Sequence, residues 1–417
     1  MQEKLLDFEQ NSTVLNGGLL FIDLDHFKSV NDSLGHAVGD QILIEVASRI
    51  NLALGPCGFV VRLGGDEFSV LVSVGTDETF VDIKGYLLSI ANSIRQSILQ
   101  SFRIDAHVLR LGVSIGITLI DESTTDWSSK FNEADIAMYE AKATGRNRVL
   151  LFDEAMRQKL ELTHSIQSRL QNACENNEFY LVIQPQFDSE NNCLGGEVLL
   201  RWENPDLGLV SPAEFIPICE QSGLIHKVGL MVFEKAFELI ANWCEQHGQT
   251  NVRPLAVNVS AQQFQVKSFI DDIHALLQKL PIDPSLIQFE LTESLLLENQ
   301  NDAMGKIRQL EAMGFSLAID DFGTGYSCLS YLSKLPIEKI KIDQSFTNQI
   351  NDGTRQAAIV ETIITMAKNL EMTVIAEGVE TQKQLDCLKI MGCDEFQGYL
   401  LSRPIPIDEY SSLVFSK

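Results

Sequence analysis

Residues 316–321 read Ser-Leu-Ala-Ile-Asp-Asp, a short apolar run of strand length that ends on two adjacent carboxylates. The pattern recurs on both sides of it. Short apolar runs occur at 179–183, 196–201, 255–259, 287–291, 339–342, 373–376 and around Phe396. Helical spacing separates most of them, at 228–245, 303–313, 356–370 and 381–391. Continuous apolar runs bounded by polar residues mark strands buried on both faces. About 250 residues of repeated strand and helix is the length and rhythm of a (β/α)8 barrel. The sequence therefore predicts a TIM-like barrel over residues 163–417.

The polar residues at the ends of these runs carry the chemistry. Glu197 lies on the second run, and Asn258 ends LAVN. Glu290 closes IQFE, with Glu293 just after it. Asp320 and Asp321 end SLAIDD, Lys341 sits in KIKID, Glu377 ends TVIAE, and Gln397 follows the last run. In a barrel such positions face the C-terminal rim, where active sites are built. A single carboxylate at a strand end is ordinarily a helix cap or a solvated loop residue. Several on one rim repel each other and lose solvation, and a divalent cation relieves both costs. An all-oxygen set with one amide suits magnesium or manganese rather than zinc. Two such ions can clamp an in-line displacement at phosphorus. Metal-assisted phosphoester hydrolysis is thus expected from the residue types alone.

The first part of the chain has a different texture. GLLFID at 18–23 is a strand ending in a carboxylate, and residues 41–54 have helical spacing. Apolar runs at 59–63 and 68–72 flank Gly64-Gly65-Asp66-Glu67, a hairpin signal because glycine supplies positive φ in a tight turn. A helix is expected over 80–102, a strand over 111–119 and a helix over 132–143, with the basic run Gly145-Arg146-Asn147-Arg148 behind it. Residues 1–152 are read as an α+β layer domain. The charged, helical stretch 153–170 is read as the connecting helix.

Composition narrows the function classes. The chain has 417 residues, 45% hydrophobic and 21% charged, enough for two or three domains with large cores. Its net charge of −25 argues against binding DNA, RNA or an anionic membrane. The 8 cysteines are scattered without a CxxC pair, which reads as reduced thiols in a cytoplasmic protein. No window holds 18 consecutive apolar residues, and the polar N-terminus lacks signal-peptide order.

At the strand ends the sequence resembles the EAL family of cyclic di-GMP phosphodiesterases. The signature reads Glu197-Val-Leu-Leu-Arg201, with Val198 in place of the name-giving alanine. VNVS, ELTES, DDFGTGYSCL, KIDQSF, AEGVE and QGYLLSRP follow in order. The resemblance implies that Glu197, Asn258, Glu290 and Asp320 hold one metal. Asp320, Asp321 and Glu377 would serve the second metal and place water. Lys341 would orient or deprotonate the attacking water with Glu377, and Arg201 would contact a substrate phosphate. Gln397 and Glu380 would help position substrate. Glu293 would brace the loop Asp321–Ser327, which departs from the family pattern only beyond its end, at Cys328. Two magnesium or manganese ions are implied, with pGpG as product.

Residues 1–152 resemble the GGDEF family of diguanylate cyclases, through Gly64-Gly65-Asp66-Glu67-Phe68 and FIDLDHFKSVNDSLGHAVGD. The resemblance implies that Asp23, Asp66 and the Leu24 carbonyl hold magnesium of Mg-GTP. Glu67 would help activate the 3′-hydroxyl. Asn31 and Asp40 would read the guanine edge, while Lys28, Lys142 and Arg146 would neutralise phosphates. The family's inhibitory RxxD is replaced by Gly55-Pro-Cys-Gly58, so no product-inhibition site is expected. The family's opening Asn-Arg turn would precede Met1, which reads as a chain starting inside the domain, behind a sensor. His26 and His36 are read as structural or rim residues, and Trp202 as barrel packing.

Hydrolysis of cyclic di-GMP is the leading expectation for the second domain, with a non-catalytic cyclic di-GMP receptor as the rival. For the first domain three roles stand open: a cyclase, a GTP-binding activator of its neighbour, or a dimer scaffold. Both families point to a homodimer.

Overall fold

The computed structural model describes residues 16–74, 82–104, 107–121, 124–296, 300–323, 332, 334–350 and 355–416. They divide into two compact units, Met1–His164 and Ser165–Lys417. The chain passes from one to the other within the helix Glu154–Ala173.

The first unit is built on a five-stranded sheet. Its strands are β1 (Asn16–Leu24), β2 (Gly58–Gly64), β3 (Glu67–Val74), β6 (Val113–Ile120) and β7 (Val149–Leu151), in the order β2-β3-β1-β6-β7. A separate short hairpin joins β4 (Phe102–Ile104) to β5 (His107–Leu109). Strand β1 is central and antiparallel to both neighbours. Side chains alternate across a strand, so Leu20, Ile22 and Leu24 join the core beneath the helices His36–Leu54 and Ile83–Leu99. Leu19 and Phe21 join the opposite face, with Phe131 and Ala134 of the helix Trp127–Ala143. That helix lies close on β6 because Gly116 has no side chain; a Cβ there would come 2.0 Å from the Ala134 carbonyl oxygen.

The expected hairpin forms, with Gly65 at φ 51° in its turn. The helix expected over 41–54 begins earlier, at His36, and two others also begin elsewhere than periodicity placed them. The helix expected from 132 starts at Trp127, because Asp126 caps it by accepting the Ser129 amide at 3.1 Å. The helix expected over 80–102 spans Ile83–Leu99, with Asp82 as its cap.

In the second unit, β8 (Phe179–Asp188), β9 (Cys193–Asn204), β11 (Leu255–Val259), β12 (Ile287–Thr292), β13 (Ser316–Phe322), β14 (Lys339–Ile342), β15 (Thr373–Ala376) and β16 (Glu395–Phe396) close into a barrel. The short strands β10 (Gly208–Val210) and β17 (Ile405–Pro406) add at its side. One feature departs from regular strand–helix alternation. Strand β8 is antiparallel to both β9 and β16, whereas the other seven run parallel. The cause is the link between β8 and β9, residues 189–192. It is far too short for the dozen or more residues that a parallel crossover needs. Asp188 closes this turn by accepting the Glu190 and Asn192 amides at 2.8 and 2.9 Å.

Alternation also sorts the barrel strands. Leu255, Val257, Ile287, Phe289, Leu317, Ile319, Ile340 and Ile342 join the large apolar core with the surrounding helices. Among the residues between them, Gln288, Glu290, Asp320 and Lys341 are polar yet buried. Val198 belongs to the apolar set, so the departure from the EAL signature stays within packing. Trp202 is fully buried against Phe179 and Phe215, and its indole N–H donates to Glu178 at 2.9 Å, a packing role.

Candidate active site

Lys341 is the centre of the barrel site. Strand β14 directs its side chain into the barrel, where it is 1% exposed. Its ammonium meets Glu377 Oε1 at 2.6 Å, Glu290 Oε2 at 2.8 Å, Asp320 Oδ1 at 3.2 Å and Glu197 Oε2 at 3.3 Å. Four strands thus bring four carboxylates to one cation. Asn258, exposed at the end of β11, donates to Glu197 Oε1 at 2.6 Å. Gln397 donates to Glu197 Oε2 at 2.7 Å.

The electrostatics follow from this imbalance. Burial works against the Lys341 ammonium, but the carboxylates, Asp320 first, outweigh it and hold the group well above the usual lysine range. Lys341 is therefore charged while no metal offsets those carboxylates. Glu197 is held below the usual carboxylate range: burial pushes it up, but Lys341 and the two amide donors prevail. Burial lifts Glu290 well above that range, against the pull of Lys341. Burial likewise pushes Glu377 up to about 8 and, helped by Asp320 and Asp343, Asp321 up to about 6. One ammonium does not balance four buried carboxylates.

Asp320 and Asp321 sit on a bulge of β13, where the register with β14 shifts between Ile319 and Phe322. Asp321 is held at φ 54°, a conformation that L residues other than glycine, asparagine and aspartate rarely adopt. Its amide donates to Asp320 Oδ1 at 2.9 Å. Glu293, 3% exposed, accepts the Gly323 amide at 3.1 Å and so ties the chain just past Asp321. Residues 324–327 of the expected loop, and Cys328 beyond it, lie outside the described residues.

Arg201 and Glu380 stand apart from this cluster among the described residues. The Arg201 guanidinium donates to the Leu200 carbonyl at 2.9 Å. Glu380 is exposed, and its amide is held by Gln384 Oε1 at 2.9 Å.

Do these residues fit a metal? Among the described residues no three acidic, His or Cys side chains are already gathered as ligands of one ion. They converge instead on the Lys341 ammonium. Yet Glu290 Oε1 is buried without a hydrogen-bond partner, and burial pushes Glu290 and Glu377 up in spite of Lys341. The donors are all oxygens. This set fits a hard divalent cation.

The first unit gathers a second acidic site. Asp23 on β1 lies directly opposite Glu67 on β3. Lys142 reaches Asp23 Oδ2 at 2.6 Å. Burial pushes Asp23 up to about 6 against Lys142, and Asp66 and Glu67 add to the push. Leu24 follows Asp23 at the strand end, its side chain in the core. Asn31 packs on Gly39, beside exposed Asp40, and its Oδ1 is buried without a partner. Lys28 and Arg146 are exposed, as are His26 and His36.

Sequence reasoning passed over Asp25. It is 4% exposed and accepts from Ser114 Oγ at 2.8 Å and from the Asn147 amide at 2.9 Å. Gly145, Arg146 and Asn147 all have positive φ, so this carboxylate clamps a strained turn that presents Arg146. Its only signal was a second carboxylate at the end of FIDLD.

A family model described as EAL domain matches residues 167–404, and one described as diguanylate cyclase, GGDEF domain, matches residues 3–148. The chain belongs to the EAL domain family and carries a GGDEF domain ahead of the EAL domain. It is 37% identical over 397 residues to the bifunctional diguanylate cyclase/cyclic di-GMP phosphodiesterase MucR of Pseudomonas aeruginosa, covering 94% of this chain and 56% of that one. It is 36% identical over 389 residues to the cyclic di-GMP phosphodiesterase PdeR of Escherichia coli, covering 93% and 57%. A solved structure, PaMucR phosphodiesterase in complex with c-di-GMP, is 36% identical with a TM-score of 0.56, covering 59% of this chain and 99% of that one. The chain spans about half the length of the curated relatives it matches.

Proposed function

We propose that the second unit hydrolyses cyclic di-GMP to linear pGpG with divalent metal, magnesium or manganese, and that the first unit binds Mg-GTP. The observation that carries the first part is Lys341, buried among four carboxylates of which Glu290 keeps an unpartnered oxygen.

Glu197, Asn258, Glu290 and Asp320 would hold one ion, and Asp320, Asp321 and Glu377 a second. Bound there, divalent metal offsets phosphate charge and acidifies water. The protein's own groups do the rest. Lys341 orients the attacking water or takes its proton, with Glu377 beside it. Glu377, whose Oε1 lies 2.6 Å from the Lys341 nitrogen, is placed to share in taking the water's proton. As water's oxygen bonds to phosphorus, one P–O3′ bond breaks, and the proton taken from the water passes on to the departing 3′-oxygen, which regenerates the base. Arg201, four residues along β9 from Glu197 and so on the same face, reaches toward a substrate phosphate. Gln397, and Glu380 on the exposed loop, position substrate.

In the first unit, Asp23, Asp66 and the Leu24 carbonyl would take the magnesium of Mg-GTP, with Glu67 beside them. Lys28, Lys142 and Arg146 would meet the phosphates, and Asn31 and Asp40 the guanine. GTP there serves either regulation of the second unit or conditional synthesis of cyclic di-GMP between two chains of a homodimer. Among the described residues no helix is long and apolar enough to cross a membrane. A cytoplasmic location is part of the same proposal.

The test is chromatography of nucleotides after incubation with magnesium and cyclic di-GMP, with and without GTP. The reading requires pGpG from the parent and none from Glu197→Ala. If Asp66→Ala removes a GTP-dependent increase, the first unit is an activator. If Asp66→Ala leaves hydrolysis untouched and the parent makes cyclic di-GMP from GTP, it is a cyclase.

A further inference from the structure

A chain of amides runs from the far side of the barrel to Glu197. Gln186 lies on β8, 3% exposed, and its Nε2 donates to Gln397 Oε1 at 2.9 Å. Gln397, 4% exposed, donates to Glu197 Oε2 at 2.7 Å and to Gln184 Oε1 at 3.2 Å. Gln184 in turn donates to the Ser402 carbonyl at 3.2 Å.

The direction of this chain is dictated by its end. An ionised carboxylate only accepts hydrogen bonds. Gln397 must therefore present its NH2 to Glu197, which leaves its carbonyl facing Gln186. Gln186 must then donate. Remove that donor and the Gln397 carbonyl loses its partner, so the amide is held through its NH2 alone, by Glu197 and Gln184. A flipped Gln397 would set its carbonyl oxygen against Glu197, leaving two acceptors face to face in a buried place.

Gln186 reaches this position because β8 runs backwards. The hairpin register puts Gln184 opposite Glu197 and Gln186 opposite Gly195. On its other side Gln186 borders a cavity of about 270 Å³ with Gly195, Ala256, Gln288, Lys339 and Glu395. This is the mouth opposite the catalytic rim, since these residues begin their strands.

We propose that Gln186 is a positioning residue: through the Gln397 amide it holds Glu197 as an oriented metal ligand. The inference rests on the metal-dependent reading of the site. Groups that orient a ligand in this way ordinarily contribute about 10- to 100-fold to metal affinity.

The test is a Mn2+ titration of the full chain, reading free Mn2+ by paramagnetic resonance, for the parent, Gln186→Met and Gln186→Glu. Methionine keeps the length and deletes the donor. Glutamate keeps the shape but accepts, and so pulls the Gln397 NH2 away from Glu197. Both are expected to weaken Mn2+ binding about tenfold, with KM for cyclic di-GMP within about twofold and lost activity recovered at saturating Mn2+. A role in packing alone would leave glutamate, the closer mimic, near the parent. Thermal melts in chelator establish which variants are folded, and either one suffices. Parent-like Mn2+ affinity in a folded variant overturns the proposal. A parent that binds no Mn2+ overturns it together with the metal reading, whereas a parent that binds Mn2+ without hydrolysing cyclic di-GMP sinks only the phosphodiesterase reading.

Discussion

The Lys341 ammonium and the Glu290 carboxylate meet at 2.8 Å inside the barrel, and each is 1% exposed. Neither charge is tolerable there without the other. Breaking such a buried pair by removing one partner costs about 3–5 kcal/mol. Lys341→Met should therefore abolish hydrolysis and lower the metal-free melting temperature. Added Mg2+ or Mn2+ should recover more of that temperature in the variant than in the parent, since the ions replace the lost cation. Calorimetric melts with chelator and with metal check this; equal recovery in both proteins would sink it.

The raised carboxyls set a pH dependence. Burial lifts Glu290 well above its ordinary value, Glu377 to about 8 and Asp321 to about 6. Between their unfolded values near 4 and those folded values, the folded chain binds more protons than the unfolded one. Stability then falls as pH rises. Glu197 has the opposite sign, but its contribution is lost only below its ordinary value of 4.5. Lys341 stays charged in both states across this window. The metal-free melting temperature should drop from pH 5 to pH 8, and the rise on adding Mn2+ should be larger at pH 8 than at pH 6. Melting scans at three pH values decide it.

Asp321 holds a left-handed φ of 54°, which aspartate tolerates and glycine adopts more freely. Relieving a left-handed residue gains about 1 kcal/mol. Asp321→Gly should melt no lower than the parent while losing most of its hydrolysis. A variant that loses stability along with activity would show the conformation to be unstrained.

Asp25 clamps the turn that carries Arg146. Hydrogen bonds to a charged group are worth about 1.5–3 kcal/mol, so Asp25→Ala should weaken GTP binding about tenfold or more. Hydrolysis of cyclic di-GMP without GTP should be unchanged. Calorimetric GTP titration checks this, and unaltered GTP affinity would remove Asp25 from the nucleotide site.

Much of this was legible in residue order. Strands such as 255–259 and 316–319 are largely buried, so they stand out as apolar runs. Their terminal polar residues were visible for the same reason. Other features depend on partners distant in sequence. That Lys341 would face four carboxylates at once is a property of barrel closure. Gln186 finds Gln397 across 211 residues, and an isolated glutamine in a strand carries no mark of that. The reversed β8 was readable in principle from its short link to β9. The early start of the helix Trp127–Ala143 came from a cap, which periodicity does not register.

The central claim is that the cluster around Lys341 is a metal-dependent phosphodiesterase centre, and its most direct measurement is the rate of pGpG formation from cyclic di-GMP as magnesium is titrated into chelator-treated protein. The account predicts no product in chelator, a rate that saturates with magnesium, and no product at any magnesium concentration from Glu197→Ala. A rate that does not depend on divalent metal, or binding of cyclic di-GMP with no turnover under magnesium or manganese, would contradict it.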